Sequence, residues 1–221
     1  MSLYTFDGNH AFIFNSEVTN DSIISGEFLS GLDYRATFSG IKNENAQLTD
    51  ADKLTYLKEG YDKVEFSFPG LNGKHISLND ENYKNKVVLL QIFGTWCPNC
   101  MDETIFYADW YEKNKDRDVA IIGLAYEAKD DFDYAKARVE KMKQKYNVGY
   151  DYVIAGVYDK EAAARTLPML NHVLSFPTTI FIDKKGEVRR IHTGFSGPAT
   201  GKYYDEYVEN FNTFMEQLIS E

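Results

Sequence analysis

The stretch Lys86-Val87-Val88-Leu89-Leu90-Gln91-Ile92-Phe93 is a nearly unbroken apolar run, and after Gly94-Thr95-Trp96 it meets Cys97-Pro98-Asn99-Cys100. A run of this length and content is a strand buried on both faces, as in a parallel or mixed sheet. Beyond the cysteines, Met101, Ile105, Ala108 and Tyr111 recur at helical spacing up to Asn114, so the pair falls where a buried strand hands over to an amphipathic helix. Few folds present that junction.

The position has a chemical meaning for each residue. At the N-cap, the Cys97 sulfur faces unpaired backbone donors and the positive end of the helix, which favour the thiolate. Pro98 falls at the first helical position, where its missing N–H costs nothing and its fixed φ suits the helix. Cys100, one turn further in, can attack a mixed disulfide formed at Cys97 and release the product. Cys97 is therefore expected to titrate at pH ~7.5 or below, against ~8.5 for an ordinary thiol. An alkylation-rate titration with a midpoint near or above the ordinary value would contradict this. A structural disulfide, half of a zinc site or a chance pairing would read the same spacing differently. The chain holds only these two cysteines, however, so no second pair completes a four-thiolate zinc site.

The rest of the chain alternates strand and helix. Val119 to Leu124 is a second continuous apolar strand. Phe132, Ala135, Val139, Met142 and Tyr146 mark an amphipathic helix, Tyr152 to Ala155 a short strand, and Glu161 to Leu167 a helix stopped by Pro168. Thr178 to Ile182 and Glu187 to Ile191 flank the turn Asp183-Lys184-Lys185-Gly186, and Tyr204, Tyr207, Phe211, Phe214 and Leu218 line a closing helix. Such alternation predicts an α/β sandwich with helices on both faces of a central sheet. Upstream, Val64 to Phe68 and His75 to Leu78 flank Pro69-Gly70-Leu71-Asn72-Gly73 as a hairpin. Residues 1 to about 45 alternate short β-rich runs with turns: Ala11–Phe14, Ile23–Ile24, Glu27–Leu29 and Tyr34–Phe38, with breaks at Gly26, Gly31 and Gly40. Thr49-Asp50-Ala51-Asp52 opens a short linker helix. The division expected is a β-rich N-terminal extension plus linker helix over 1–60 and a main domain over 61–221.

With 34 acidic and 24 basic side chains the net charge is −10, which argues against a phosphate-binding, nucleic-acid partner. No stretch approaches the roughly 20 apolar residues of a membrane-spanning helix. The opening residues lack the basic and apolar regions of a signal peptide, and read either as a cytosolic start or as a chain trimmed of its export signal. The lack of any stray thiol leans to the second.

Taken together, several ordered motifs over roughly residues 62 to 195 resemble a thioredoxin-fold protein, and more closely the TlpA/ResA-type thiol-disulfide oxidoreductases of the bacterial cell envelope. They are Phe66-Ser67-Phe68 through Leu78, Lys86 through Cys100, and Phe176-Pro177-Thr178-Thr179-Ile180-Phe181-Ile182-Asp183 before Gly186. The segment Val119 to Leu170 looks like the strand and helix that this family inserts. The resemblance implies a thioredoxin-like three-layer α/β/α sandwich with Cys97 and Cys100 as the redox pair. It makes Pro177 a cis-proline facing that pair, with the Phe176 backbone available to an incoming peptide. Glu103 matches a glutamate that assists proton transfer at the buried thiol, its alternative being complementation of the positive helix end. Trp96 and Pro98 fall on the docking surface. No metal and no cofactor beyond the Cys97–Cys100 disulfide is implied. The implied partners are disulfide-containing exported proteins and a membrane-bound thiol electron donor, with the chain acting as a reductase in the periplasm or cell envelope.

There are departures and alternatives. Gln91 stands where thioredoxin has a buried acid, and an amide cannot take the Cys100 proton, which moves that task to Glu103 or water. Gly194 to Gly201 is a glycine-rich loop that could border the site, and it lacks the ending of a phosphate-cradling loop. Of His10, His75, His172 and His192, His172 lies five residues before Pro177 and carries the runner-up reading, a copper-delivery protein of this fold. A thiol peroxidase would use Thr95, but Pro98 follows the cysteine and a resolving Cys100 three residues on is atypical. Tyr203, Tyr204, Tyr207 and Phe211 read as core and surface of the last helix.

Overall fold

The computed structural model describes residues 1–6 and 11–221; His10 lies outside the described residues. The chain divides into two compact units, Met1–Leu48 and Thr49–Glu221. The linker helix, expected with the N-terminal extension, is a short 3-10 turn over Ala51–Lys53 in the second unit.

The first unit is an antiparallel meander of β1 (Ser2–Phe6), β2 (Ala11–Thr19), β3 (Ile23–Ser30) and β4 (Tyr34–Ile41). The breaks read at Gly26 and Gly40 do not occur. Gly26 sits opposite Ser16 inside β3, and a Cβ on it would lie 2.0 Å from the Asn15 carbonyl oxygen. Glycine here permits close backbone approach and keeps the strand going. Asn20 and Asp21 turn the β2–β3 hairpin with φ of 53° and 52°, a region Asn and Asp tolerate better than most residues. Phe14 and Phe28, cross-strand partners, pack with their rings tilted and their centroids 4.6 Å apart.

In the second unit a small hairpin, β5 (Phe68–Pro69) with β6 (His75–Ile76), precedes the main sheet. Val64 to Ser67, expected in its first strand, lie outside it, with Val64 and Phe66 buried instead. The chain then runs β7 (Val87–Phe93), α1 (Pro98–Asn114), β8 (Val119–Glu127), α2 (Phe132–Lys145), β9 (Asp151–Val157), α3 (Lys160–Thr166), β10 (Thr178–Ile182), β11 (Val188–Thr193) and α4 (Lys202–Ser220). The sheet order is β11-β10-β7-β8-β9, with β7, β8 and β9 parallel and β10 antiparallel to both β7 and β11. This is the thioredoxin-like arrangement. The apolar runs explain the centre: every residue of β7 and β8 is buried, as strands with neighbours on both edges and helices on the faces must be. The carboxyl end of β7 opens onto α1, the place where open α/β sheets put their chemistry.

Candidate active site

Cys97 is the N-cap of α1, with φ −96° and ψ 112°, and its sulfur accepts the Cys100 amide at 3.3 Å. Pro98 takes the first helical position. The pair stands in its dithiol form, with Cys97 6% exposed and Cys100 fully buried. Across from them the Phe176–Pro177 peptide is cis, and the Cys97 thiol donates to the Phe176 carbonyl at 3.6 Å. The Cys100 amide stabilises a thiolate at Cys97, whereas the Phe176 carbonyl holds the thiol form. Cys100 differs sharply: burial, then the hydrogen bond and charge of Cys97, push its thiol well above the ordinary range, with the Glu103 charge adding to the shift.

The loop before Cys97 is fixed through both Trp96 and Thr95. The Trp96 indole N–H donates to the Tyr126 carbonyl at 2.9 Å, folding the ring back so closely that a Cβ on Gly94 would meet its Nε1 at 2.1 Å. Only glycine fits there. Buried Glu127 accepts from both the amide and hydroxyl of Thr95, each at 2.8 Å. Burial raises the Glu127 carboxyl, while those Thr95 bonds and the Arg138 charge oppose the shift. On the other flank Gly194 donates to the Pro177 carbonyl at 2.8 Å and Asn99 donates to that of Phe195 at 3.1 Å. The glycine-rich loop therefore borders the site, as its position suggested.

Glu103, one turn past Cys100, is wholly buried and so is no solvent-facing complement to the helix end. Gln91 donates to it at 2.9 Å, Thr179 at 3.1 Å and Tyr107 at 3.4 Å. Burial pushes its carboxyl up to about 8 despite those three bonds, and the nearby Cys97 charge adds to the rise. Gln91, the amide that replaces an acid, thus holds the acid that does occupy the site. Its own oxygen accepts from Tyr150 at 3.2 Å.

Around Cys97 the exposed surface is aromatic. Trp96 is 37% exposed and packs on Tyr158, 51% exposed, at 5.3 Å between centroids, and edge-on against Phe176 at 5.5 Å. Tyr158 and Glu127 are parts of the site that the sequence reading missed. His172 contacts Asn171, and among the described residues no three His, Cys, Asp or Glu side chains converge to hold a metal. The Thr95 hydroxyl, which a peroxidase would turn toward its substrate, is engaged by Glu127.

The AhpC/TSA family model matches residues 60–191, more than half of the chain. The chain belongs to the AhpC/TSA family. Its relatives include ResA proteins, which are thiol-disulfide oxidoreductases. ResA of Geobacillus kaustophilus is 30% identical over 140 residues, covering 63% of this chain and 72% of that protein. The thioredoxin-like protein YneN of Bacillus subtilis is 27% identical over 155 residues, covering 70% and 83%. Among solved structures, a DsbF homologue from Corynebacterium diphtheriae aligns with a TM-score of 0.53 at 18% identity, over 76% of this chain and 97% of its own. A thiol:disulfide interchange protein from Chlorobium tepidum gives the same score and identity over 73% and 98%. The structural likenesses establish the thioredoxin-like fold, and the sequence relatives establish the activity class. This member is a thiol-disulfide oxidoreductase acting on protein substrates, and none of its described helices is long and apolar enough to cross a membrane.

Proposed function

We propose that Cys97 and Cys100 reduce disulfides in exported proteins, in the periplasm or cell envelope of a bacterium, and are recharged by a membrane-bound dithiol donor. The observation that carries this reading is the asymmetry of the pair: an attacking sulfur at a helix N-terminus under the cis-Pro177 loop, and a fully buried thiol one helical turn from the buried Glu103 carboxyl.

The cycle balances as follows. The Cys97 thiolate attacks one sulfur of the client disulfide; a Cys97–client bond forms, and the other client sulfur leaves as a thiolate and takes a proton from water. Where Glu103 has released its own proton, Cys100 then gives its proton to that carboxylate and attacks the Cys97 sulfur. The second client sulfur leaves with both electrons of the mixed disulfide and is protonated. The client is reduced by two electrons and the Cys97–Cys100 disulfide forms, to be reopened by the donor. A carboxyl at about 8 suits this role, because a base near the working pH both accepts and returns a proton readily. No cofactor is needed beyond the disulfide itself.

Trp96, Pro98, Phe176 and Pro177 form the face a client meets, and the Phe176 backbone is the natural partner for an extended client segment. The acidic chain favours clients with neutral or basic faces around their disulfide. Trp96→Ala is expected to raise KM for a protein disulfide such as insulin by roughly tenfold, the ~1–2 kcal/mol of a lost aromatic anchor. Reduction of a small disulfide such as dithiobis-nitrobenzoate should stay within about twofold, since chemistry at Cys97 is untouched. An equal loss on both substrates would reject the docking role.

A further inference from the structure

Glu103 has no contact with solvent, yet the cycle requires its proton to come and go. One chain of hydroxyls leads away from it. Thr179 donates to Glu103 Oε1 at 3.1 Å, the Tyr107 hydroxyl lies 3.0 Å from Thr179 Oγ1 and 3.4 Å from Glu103 Oε1, and the Tyr207 hydroxyl lies 3.0 Å from that of Tyr107. Tyr207 lines a cavity of about 500 Å³ with Asp52, Arg190 and His192. None of Trp96, Tyr158, Phe176 or Pro177 lines that cavity.

We propose that Thr179, Tyr107 and Tyr207 relay the Glu103 proton to water in this cavity, so that proton exchange continues while a client covers Cys97. The inference rests on the reading of Glu103 as the proton acceptor for Cys100. Tyr107 donates to Thr179 and Thr179 to Glu103, the orientation that carries a proton inward; with the hydroxyls turned to donate outward, a proton leaving the Glu103 carboxyl enters Thr179 Oγ1 as the Thr179 proton moves to Tyr107. The Tyr107 proton moves to Tyr207, and the Tyr207 proton passes to water. No tyrosinate forms; burial first, and then the charge of Glu103, hold both phenols well above their ordinary range. They serve as neutral carriers.

The charged and titratable surroundings are consistent with an exit here. Glu103 is faced by Cys97 and Cys100 from the start of α1 and by Tyr150 from the residue before β9, with Tyr107 and Tyr207 on the outward side. At the cavity the His192 ring lies against Tyr207 at 5.3 Å between centroids, and His192 Nδ1 meets the Asp52 carboxylate at 2.7 Å. Arg190 contacts the same carboxylate at 3.4 Å. Burial pushes the Asp52 carboxyl up, but the hydrogen bond and charge of His192 and the charge of Arg190 outweigh it and hold it below its ordinary value. A carboxylate paired with an imidazole is a competent terminal exchanger for a proton arriving at Tyr207. The opposite branch from Glu103 runs through the Gln91 amide, which does not pass protons in this way.

The test follows the proton itself. At pH 6 the protonated Glu103 carboxyl should give an infrared C=O band that Glu103→Gln removes, and transfer of the dithiol protein into D2O should shift that band. Tyr207→Phe and Tyr107→Phe, which delete one oxygen each, are expected to slow the shift at least about tenfold, in keeping with general acid–base contributions, with Cys97 alkylation by iodoacetamide unchanged. In Tyr207→Phe the Tyr107 hydroxyl keeps Thr179 as partner, so the fold is expected to hold. Exchange as fast in both variants as in the parent would overturn the relay and leave the Glu103 reading intact. No carboxyl band at pH 6 would overturn that reading and the relay with it.

Discussion

Replacing Cys100 with serine will turn the protein from a turnover catalyst into a covalent trap. Cys97 keeps its place at the N-cap of α1 under the Phe176 carbonyl, so the first attack on a client disulfide proceeds. A buried serine hydroxyl at position 100 cannot act as the resolving nucleophile, because its pKa lies far above that of any thiol and it forms no disulfide. Insulin turnover should fall by at least about a thousandfold, while a client–Cys97 adduct accumulates on non-reducing gels and disappears with dithiothreitol. Cys97→Ser should lose turnover to the same extent with no adduct, since the remaining thiol is fully buried, and burial, the largest cause of its raised titration, persists without the Cys97 sulfur. The contrast between the two serines is the informative result. Adducts of equal yield from both variants would mean that the roles of attacker and resolver are not fixed by the helix terminus.

Glu103→Gln will lower activity and raise stability together. In the folded chain burial places the Glu103 carboxyl at about 8, against an ordinary 4.5. Between those values the folded state holds a proton that the unfolded state has released, so the group costs stability progressively as pH rises through the window, and fully above about 8. At ~1.4 kcal/mol per pH unit, the cost is bounded at about 5 kcal/mol. A neutral amide removes it while keeping size and hydrogen-bonding capacity. The melting temperature of Glu103→Gln should therefore draw ahead of the parent as pH rises from 5 to 9, by about 2–4 °C for each kcal/mol. Its kcat for insulin should fall roughly a hundredfold, and the limb of the pH–rate profile near 8 should vanish. Calorimetry and a pH–rate series on the two proteins measure both; parallel melting curves across that range would show that Glu103 is ionised in the folded state at neutral pH.

Why some of this could be read from the sequence and some could not has physical reasons. The strand-to-helix junction was legible because burial on both faces of β7, the apolar stripe of α1 and Pro98 at its first position all act over a few consecutive residues. Phe176-Pro177-Thr178-Thr179 was legible as a motif, and its cis peptide faces the pair as the resemblance implied. Gly26 misled, since a glycine reads as a turn when in fact its missing side chain lets two strands approach. The same local logic overextended the first hairpin into Val64–Ser67, which buries Val64 and Phe66 without joining a ladder. Glu127, Tyr158 and the Tyr107–Tyr207 pair escaped notice for a different reason. Their partners lie far away in the chain, 32 residues for Glu127 and Thr95 and 100 for the two tyrosines, and only the packing of the strands and of α4 brings them together. A tyrosine on the closing helix carries the same apolar periodicity whether its hydroxyl is buried against another or faces water.

The direction of electron flow is set by one thermodynamic quantity. Equilibrating the protein in glutathione buffers of graded ratio, followed by thiol alkylation and mass analysis, gives the midpoint potential of the Cys97/Cys100 couple. The account predicts a single two-electron transition between dithiol and disulfide, below the ~−180 mV of protein disulfide isomerase and toward the ~−270 mV of thioredoxin. A midpoint near the ~−120 mV of DsbA would make the protein an oxidant, and two thiols that stay alkylatable across the whole range would contradict a redox role for the pair altogether.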